Sequence, residues 1–182
     1  MGNAKGGRPR RLPEKLLAVR EKLGASQAEM ARLIGLGMSG ARISEYESGK
    51  REPNLTVLLN YAKAGRISTD NLIDDSVELA FPKNLTTPKE VMTWRKRRRR
   101  TMVIPRHQRQ KRLAAKLVQI RERLGLSQPE LAERLGVESD HTLISMYEHN
   151  KRQPPLNVLL AYARIAGILL EQIVDDDLEL NL

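Results

Sequence analysis

Cysteine is absent from the 182 residues of this sequence, which excludes disulfide staples and thiolate metal or redox centres. Aromatic residues make up only 3% of the chain, with a single Phe and a single Trp, so any core has to be built from Leu, Ile, Val and Ala. No apolar run approaches the ~20 residues that span a bilayer, and the first residues lack the apolar stretch of a secretion signal. The three histidines, His107, His141 and His149, do not stand at metal-ligand spacing with carboxylates, and no Gly-rich phosphate loop or nucleophile motif occurs. These absences argue against an enzyme, a metal site or other cofactor, and a membrane protein. No stretch alternates strongly enough to be a strand, so the expected fold class is all-α.

The chain does carry a duplication. Ser26–Pro53 recurs, altered, as Ser127–Pro154. A shift of 101 positions lays Arg8–Leu79 on Arg109–Leu180 without a gap, and about 32 of the 72 paired residues are identical. The repeat, more than the length, predicts two domains: residues 8–80 and 109–182, joined by a basic linker over 81–108. Each unit is small, and its core is expected to be modest.

Local chemistry predicts the helices. Pro13 suits the first turn of a helix that runs to about Leu23, with Leu16, Val19 and Leu23 as its apolar stripe. Ser26 is an N-cap for a helix over about Gln27–Ile34, ended at Gly35. Ser39 reads as the cap of a third helix over about Gly40–Ser48, with Ile43 and Tyr46 inward. Gly49 is its left-handed stop, and Pro53 prevents it from resuming. Helices over Leu55–Lys63 and around Leu72 and Ile73 complete the set, the last capped by Ser68 or Thr69. The second copy keeps the backbone requirements while changing letters: Ser127 caps, Asp140 replaces Ser39, and Asn150 replaces Gly49. Its helices are expected over about Leu113–Leu124, Gln128–Leu135, His141–His149, Leu156–Ala166 and Leu170–Val174.

Two short helices with a tight connection form a helix-turn-helix. Each copy resembles the Cro and lambda-repressor type of this domain through Arg20, Gly24, Ser26, Gln27, Glu29, Ala31, Gly35, Ile43, Ser44, Tyr46, Glu47, Gly49, Lys50 and Pro53. The second copy matches at Arg121, Gly125, Ser127, Gln128, Glu130, Ala132, Gly136, Ile144, Ser145, Tyr147, Glu148, Asn150, Lys151 and Pro154. One departure lies between Gly35 and Ile43, and between Gly136 and Ile144, where two residues more than usual precede the third helix. The resemblance implies two tandem five-helix lambda-repressor-like domains. It also implies a transcriptional regulator, cytoplasmic and nucleoid-associated in a bacterium, that binds double-stranded DNA.

The resemblance places the start of the third helix in the major groove. Helical spacing then points Gly40, Ala41, Ser44 and Glu45 outward in the first copy, with Arg42 able to reach a guanine or a phosphate. In the second copy the same positions hold His141, Thr142, Ser145 and Met146. The first set is poor in base-reading groups: small residues allow approach or contact with a thymine methyl, and Glu45 accepts from cytosine N4. Gln27 and Gln128 are given a phosphate contact by the resemblance, and Lys50, Arg51, Lys151 and Arg152 suit the same role. Arg20 with Glu47, and Arg121 with Glu148, correspond to a buried ion pair that pins the first helix to the third.

Net charge is +10, and it is unevenly placed. The two repeats carry +2 and −1, while Ala80–Gln108 carries +8, concentrated in the Trp94–Arg100 run that includes Arg97 and Arg98. Phosphate binding is the expected use of that run, and Phe81 and Trp94 are expected to pack on a domain. Each repeat begins basic (Arg8, Arg10, Arg11; Arg109, Lys111, Arg112) and ends acidic (Asp74, Asp75, Glu78; Asp175–Asp177, Glu179). This predicts one cationic and one anionic end, with Asp175–Asp177 a solvated tail. Because relatives dimerise, the duplication suggests an intramolecular pseudo-dimer or a homodimer. Two rivals stand beside this reading: a protein-interaction or antitoxin-type module, and a sequence-independent nucleic-acid binder driven by the linker.

Overall fold

This computed structural model describes residues 8–37, 39–86, 110–137 and 142–182. They fall into two compact units, one within residues 10–108 and one carrying residues 109–182. Trp94, the Arg97 and Arg98 run, the cap Asp140, and His141 lie outside the described residues. Ten helices occur among those described, five per unit, and no strand.

In the first unit the helices are α1 (Leu12–Lys22), α2 (Gln27–Leu33), α3 (Ala41–Glu47), α4 (Leu55–Gly65) and α5 (Thr69–Ile73). In the second they are α6 (Leu113–Arg123), α7 (Gln128–Arg134), α8 (Thr142–Glu148), α9 (Leu156–Ala166) and α10 (Leu170–Val174). Ser26 and Ser127 each close a capping box: the hydroxyl accepts from the amide of Glu29 or Glu130, and that glutamate accepts from the serine amide at 2.7 Å. Ser68 Oγ accepts from the Asn71 amide at 3.2 Å and caps α5. Gly49 (φ 71°) and Asn150 (φ 55°) both adopt the left-handed conformation that ends α3 and α8.

Leu16 and Val19 of α1 and Leu23 just after it meet Met30 and Ala31 of α2, Ile43 and Tyr46 of α3, and Leu58 and Tyr61 of α4 in the first core. The third helix packs on both the first and the second, and α1 also lies against α4 and α5. The second unit repeats this with Leu117, Ile120, Leu131, Ile144, Leu159 and Tyr162. Each fully buried aliphatic side chain contributes about 1.5–3 kcal/mol, so α3 and α8 are held by their inner faces and not by propensity.

Three expectations change. Gly40, not Ser39, is the N-cap of α3, and it makes no side-chain cap bond; Ser39 Oγ only accepts a long 3.4 Å contact from the Ala41 amide. The run Asp175–Asp177 is solvated only at Asp177, which is exposed. Asp75 accepts from the Arg10 and Arg11 amides, both at 2.9 Å, and Asp176 accepts from Lys111 and Arg112 at 2.8 and 3.0 Å. These aspartates therefore cap the start of α1 and α6 from more than sixty residues away, while Asp175 is buried. Nor does each domain present a cationic end and an anionic end. Arg11 pairs with Glu78 and Arg112 with Glu179, each at 2.7 Å, so the basic start and acidic finish of a domain meet and neutralise one another.

Candidate nucleic-acid interface

Burial of Ile43 and Tyr46 fixes the roll of α3, and burial of Ile144 and Tyr147 fixes that of α8. The opposite face is consequently open. Ala41 and Ser44 are exposed, with Arg42 and Glu45 half-buried. In the second unit Thr142 and Met146 are exposed and Ser145 is half-buried. Arg42, Ser44 and Glu45 thus share one surface with Ala41, and Thr142, Ser145 and Met146 share the equivalent one.

Gly40 sits differently from a surface contact. A Cβ there would lie 2.8 Å from Gln27 Cβ and 3.0 Å from the Ala28 amide nitrogen. The start of α3 abuts the start of α2, and only glycine permits it. Sequence spacing placed Gly40 on the outer face; the missing side chain serves packing against α2.

Lys50 and Arg51 follow the left-handed Gly49 and are exposed, as are Lys151 and Arg152 after Asn150. The loop is held by its backbone: the Arg51 amide donates to Glu45 O at 3.1 Å, and the Lys151 and Arg152 amides donate to Met146 O at 2.9 and 3.2 Å. The cationic heads are left in solvent beside the open face of the third helix. Arg51 Nη1 also lies 3.8 Å from Glu45 Oε2, a long contact that offsets part of the carboxylate's charge on this surface.

Arg20 and Glu47 are joined through Nε to Oε1 and through Nη2 to Oε2, the latter at 3.0 Å, and Arg20 Nη1 reaches Ala25 O. Arg121 and Glu148 reproduce this with 2.6 and 3.2 Å bonds and a third to Leu126 O. The hydrogen bond to the glutamate raises each arginine above its ordinary range. Gln27 and Gln128, the first residues of α2 and α7, are drawn into the same network. Nε2 of Gln27 donates to Glu47 Oε2 at 3.1 Å, and Nε2 of Gln128 donates to Glu148 Oε2 at 2.8 Å. Sequence reasoning placed the glutamines and the ion pairs separately. The signal that joins them is a spacing of twenty residues, Gln27 to Glu47, repeated unchanged from Gln128 to Glu148.

Beneath the interface, Tyr61 and Tyr162 are buried with hydroxyls that find no partner among the described residues. Burial pushes both phenols above their ordinary value. They are core residues and do not face a ligand. Among the described residues no cluster of carboxylates and imidazoles is placed to hold a metal ion, and no helix is long and apolar enough to cross a membrane.

A capped second helix and a third helix buried on one face and open on the other, flanked by a basic loop, define a DNA-binding helix-turn-helix domain, here present twice. The chain belongs to the helix-turn-helix family, which matches residues 16–72 and 110–173, and it consists of two tandem domains of the Cro and lambda-repressor type. No curated protein and no solved structure matches it.

Proposed function

We propose that this protein is a transcriptional regulator that sets α3 and α8 in the major groove of double-stranded DNA and reads two half-sites with one chain. The observation that carries this reading is that both domains present the same surface, an open third-helix face beside an exposed Lys-Arg pair, while the letters on it differ. Gln27, Lys50, Arg51, Gln128, Lys151 and Arg152 hold phosphates. Thr142, Ser145 and Met146, with His141, read bases in one half-site. Ala41, Ser44, Arg42 and Glu45 read the other more loosely. Phosphate contacts position and base contacts specify, so the two groups separate on mutation. No catalytic step or cofactor enters this function.

Selecting bound duplexes from a random pool with the intact chain tests it. Two unequal half-sites are expected, and Thr142→Ala should relax discrimination at one base pair by about 1–3 kcal/mol. Selection of no sequence would leave a sequence-independent binder driven by the Arg-rich linker. A second reading, a protein-interaction module, is favoured by one feature of the second domain: Leu169, Leu178 and Leu182 are exposed there. Failure of DNA to bind at all, together with capture of a protein partner lost on Leu169→Ser, would favour it.

A further inference from the structure

Resting on the reading that Gln27 and Gln128 contact phosphates, we infer that Glu47 and Glu148 are positioning residues for DNA binding, not only partners of a structural ion pair. An ionised carboxylate accepts and cannot donate. The face of the glutamine amide turned toward Glu47 Oε2, or toward Glu148 Oε2, must therefore be the Nε2 side, which removes the usual ambiguity of amide orientation. One N–H of each amide is spent on this bond. Because the amide is planar, that bond also fixes the direction of the second N–H and of Oε1. The glutamine reaches the DNA face already oriented, without losing side-chain freedom on binding.

The anchor is itself held. The side chain of Glu47 is 6% exposed and that of Glu148 3% exposed. Each places Oε1 on the arginine Nε and shares Oε2 between the arginine Nη2 and the glutamine. The carboxylate is thereby neutralised by Arg20 or Arg121 before DNA arrives, so it orients the amide without repelling a phosphate. The same three-residue chain, arginine to glutamate to glutamine, occurs in both domains. It links α1 to the first residue of α2 and the last of α3 in one domain, and the corresponding helices in the other.

A double-mutant cycle on the intact chain tests this, with affinity for a random-sequence duplex as the readout. Gln128→Ala should weaken binding at least about tenfold, as expected for one lost hydrogen bond to a charged group. It should leave the slope of log affinity against log salt unchanged, because a neutral amide releases no counterion. Glu148→Gln, shown folded by circular dichroism, should weaken binding several-fold in the parent chain but less than twofold in the Gln128→Ala background. An equal loss in both backgrounds would mean that Glu148 acts through stability alone, and would overturn the proposal while leaving Gln128 as a contact. No effect of Gln128→Ala would overturn the proposal together with the reading beneath it. If Glu148→Gln unfolds the domain, the side-chain amide signals of Gln27 and Gln128 in the free parent protein decide. Two well-separated, slowly exchanging Nε2 protons are expected, and signals like those of a solvated glutamine would overturn the anchor.

Discussion

Lys116 is 1% exposed, yet its ammonium gives three bonds of 2.6 Å, to the carbonyls of Gln172, Asp175 and Leu178. Lys15 does the same work in the first domain, bonding the carbonyls of Asn71 and Asp74. Burial pushes both lysines below their ordinary value, while the carbonyls supply what water would have given. The ammonium thus ties α6 to the C-terminal end of α10. Replacing it removes three bonds, one to a buried carbonyl and two to part-buried ones. Lys116→Met, which keeps the stem's volume, is expected to cost about 2–4 kcal/mol in urea unfolding of the second domain. None of this was legible from pattern, because a lysine among apolar residues at helical spacing reads as a solvated side chain. The one available clue was identity: lysine is kept at both 15 and 116, along with the aspartates at 75 and 176. A second residue-level outcome concerns acid. Hydrogen bonds from the Ser127 hydroxyl and then its backbone hold Glu130 below its ordinary 4.5. A lowered carboxylate stabilises the fold above its unfolded value and loses that contribution as pH falls through its folded value. The Ser127 amide resonance should therefore titrate below pH 4.5, and its exchange should quicken there. A titration at or above 4.5 would show that the capping box does not form in solution.

At the scale of the element, what was readable was local. The caps at Ser26, Ser68 and Ser127, the left-handed Gly49 and Asn150, and the inward Ile43 and Tyr46 follow from chemistry within a few residues, and the structure forms them. What was not readable came from segments distant in sequence. The first helix of each domain has no side-chain cap of its own, because Asp75 or Asp176 arrives from beyond the fifth helix. Gly40 displaces Ser39 as cap because α3 is pressed onto Gln27 and Ala28. Gly40→Ala should consequently force the two helices apart. A loss of about 1–3 kcal/mol in thermal unfolding is expected, with weaker DNA binding because Gln27 moves with its helix. A stability equal to that of the parent chain would mean that the helix junction yields freely. The end of α4 offers the opposite case. Arg66 sits at φ 51°, where the second copy has Gly167 at φ 68°. Arg66→Gly relieves the left-handed strain of a side chain and should leave stability unchanged or raise it by up to about 1 kcal/mol. A clear loss would show that the arginine side chain contributes more than its backbone costs.

Taken as a molecule, the chain carries its excess positive charge in residues 80–108, at +8, while the two repeats carry +2 and −1. On the proposed function, two nearly neutral domains and a cationic connection would share one DNA. Any chain of about 28 residues reaches at most ~100 Å, and a flexible one has an r.m.s. span of ~30 Å. Successive major grooves on one face of DNA lie ~34–36 Å apart. On that proposed function, binding of one domain would hold the other at a high effective concentration near the next turn, for direct and inverted half-sites alike. The intact chain is expected to bind a duplex carrying both half-sites at least ~10-fold more tightly than a full-length variant whose second reader is disabled by Lys151→Glu with Arg152→Glu. Replacing Arg97–Arg100 by serine should act differently, lowering affinity for every sequence and flattening the dependence of log affinity on log salt by up to about four contacts. Fluorescence anisotropy of the three proteins on a two-site, a one-site and a random duplex separates these effects. A parent chain that binds the two-site and one-site duplexes equally well would mean that the second domain serves something other than that DNA. An unchanged salt slope in the serine variant would mean that the arginine run touches no phosphate.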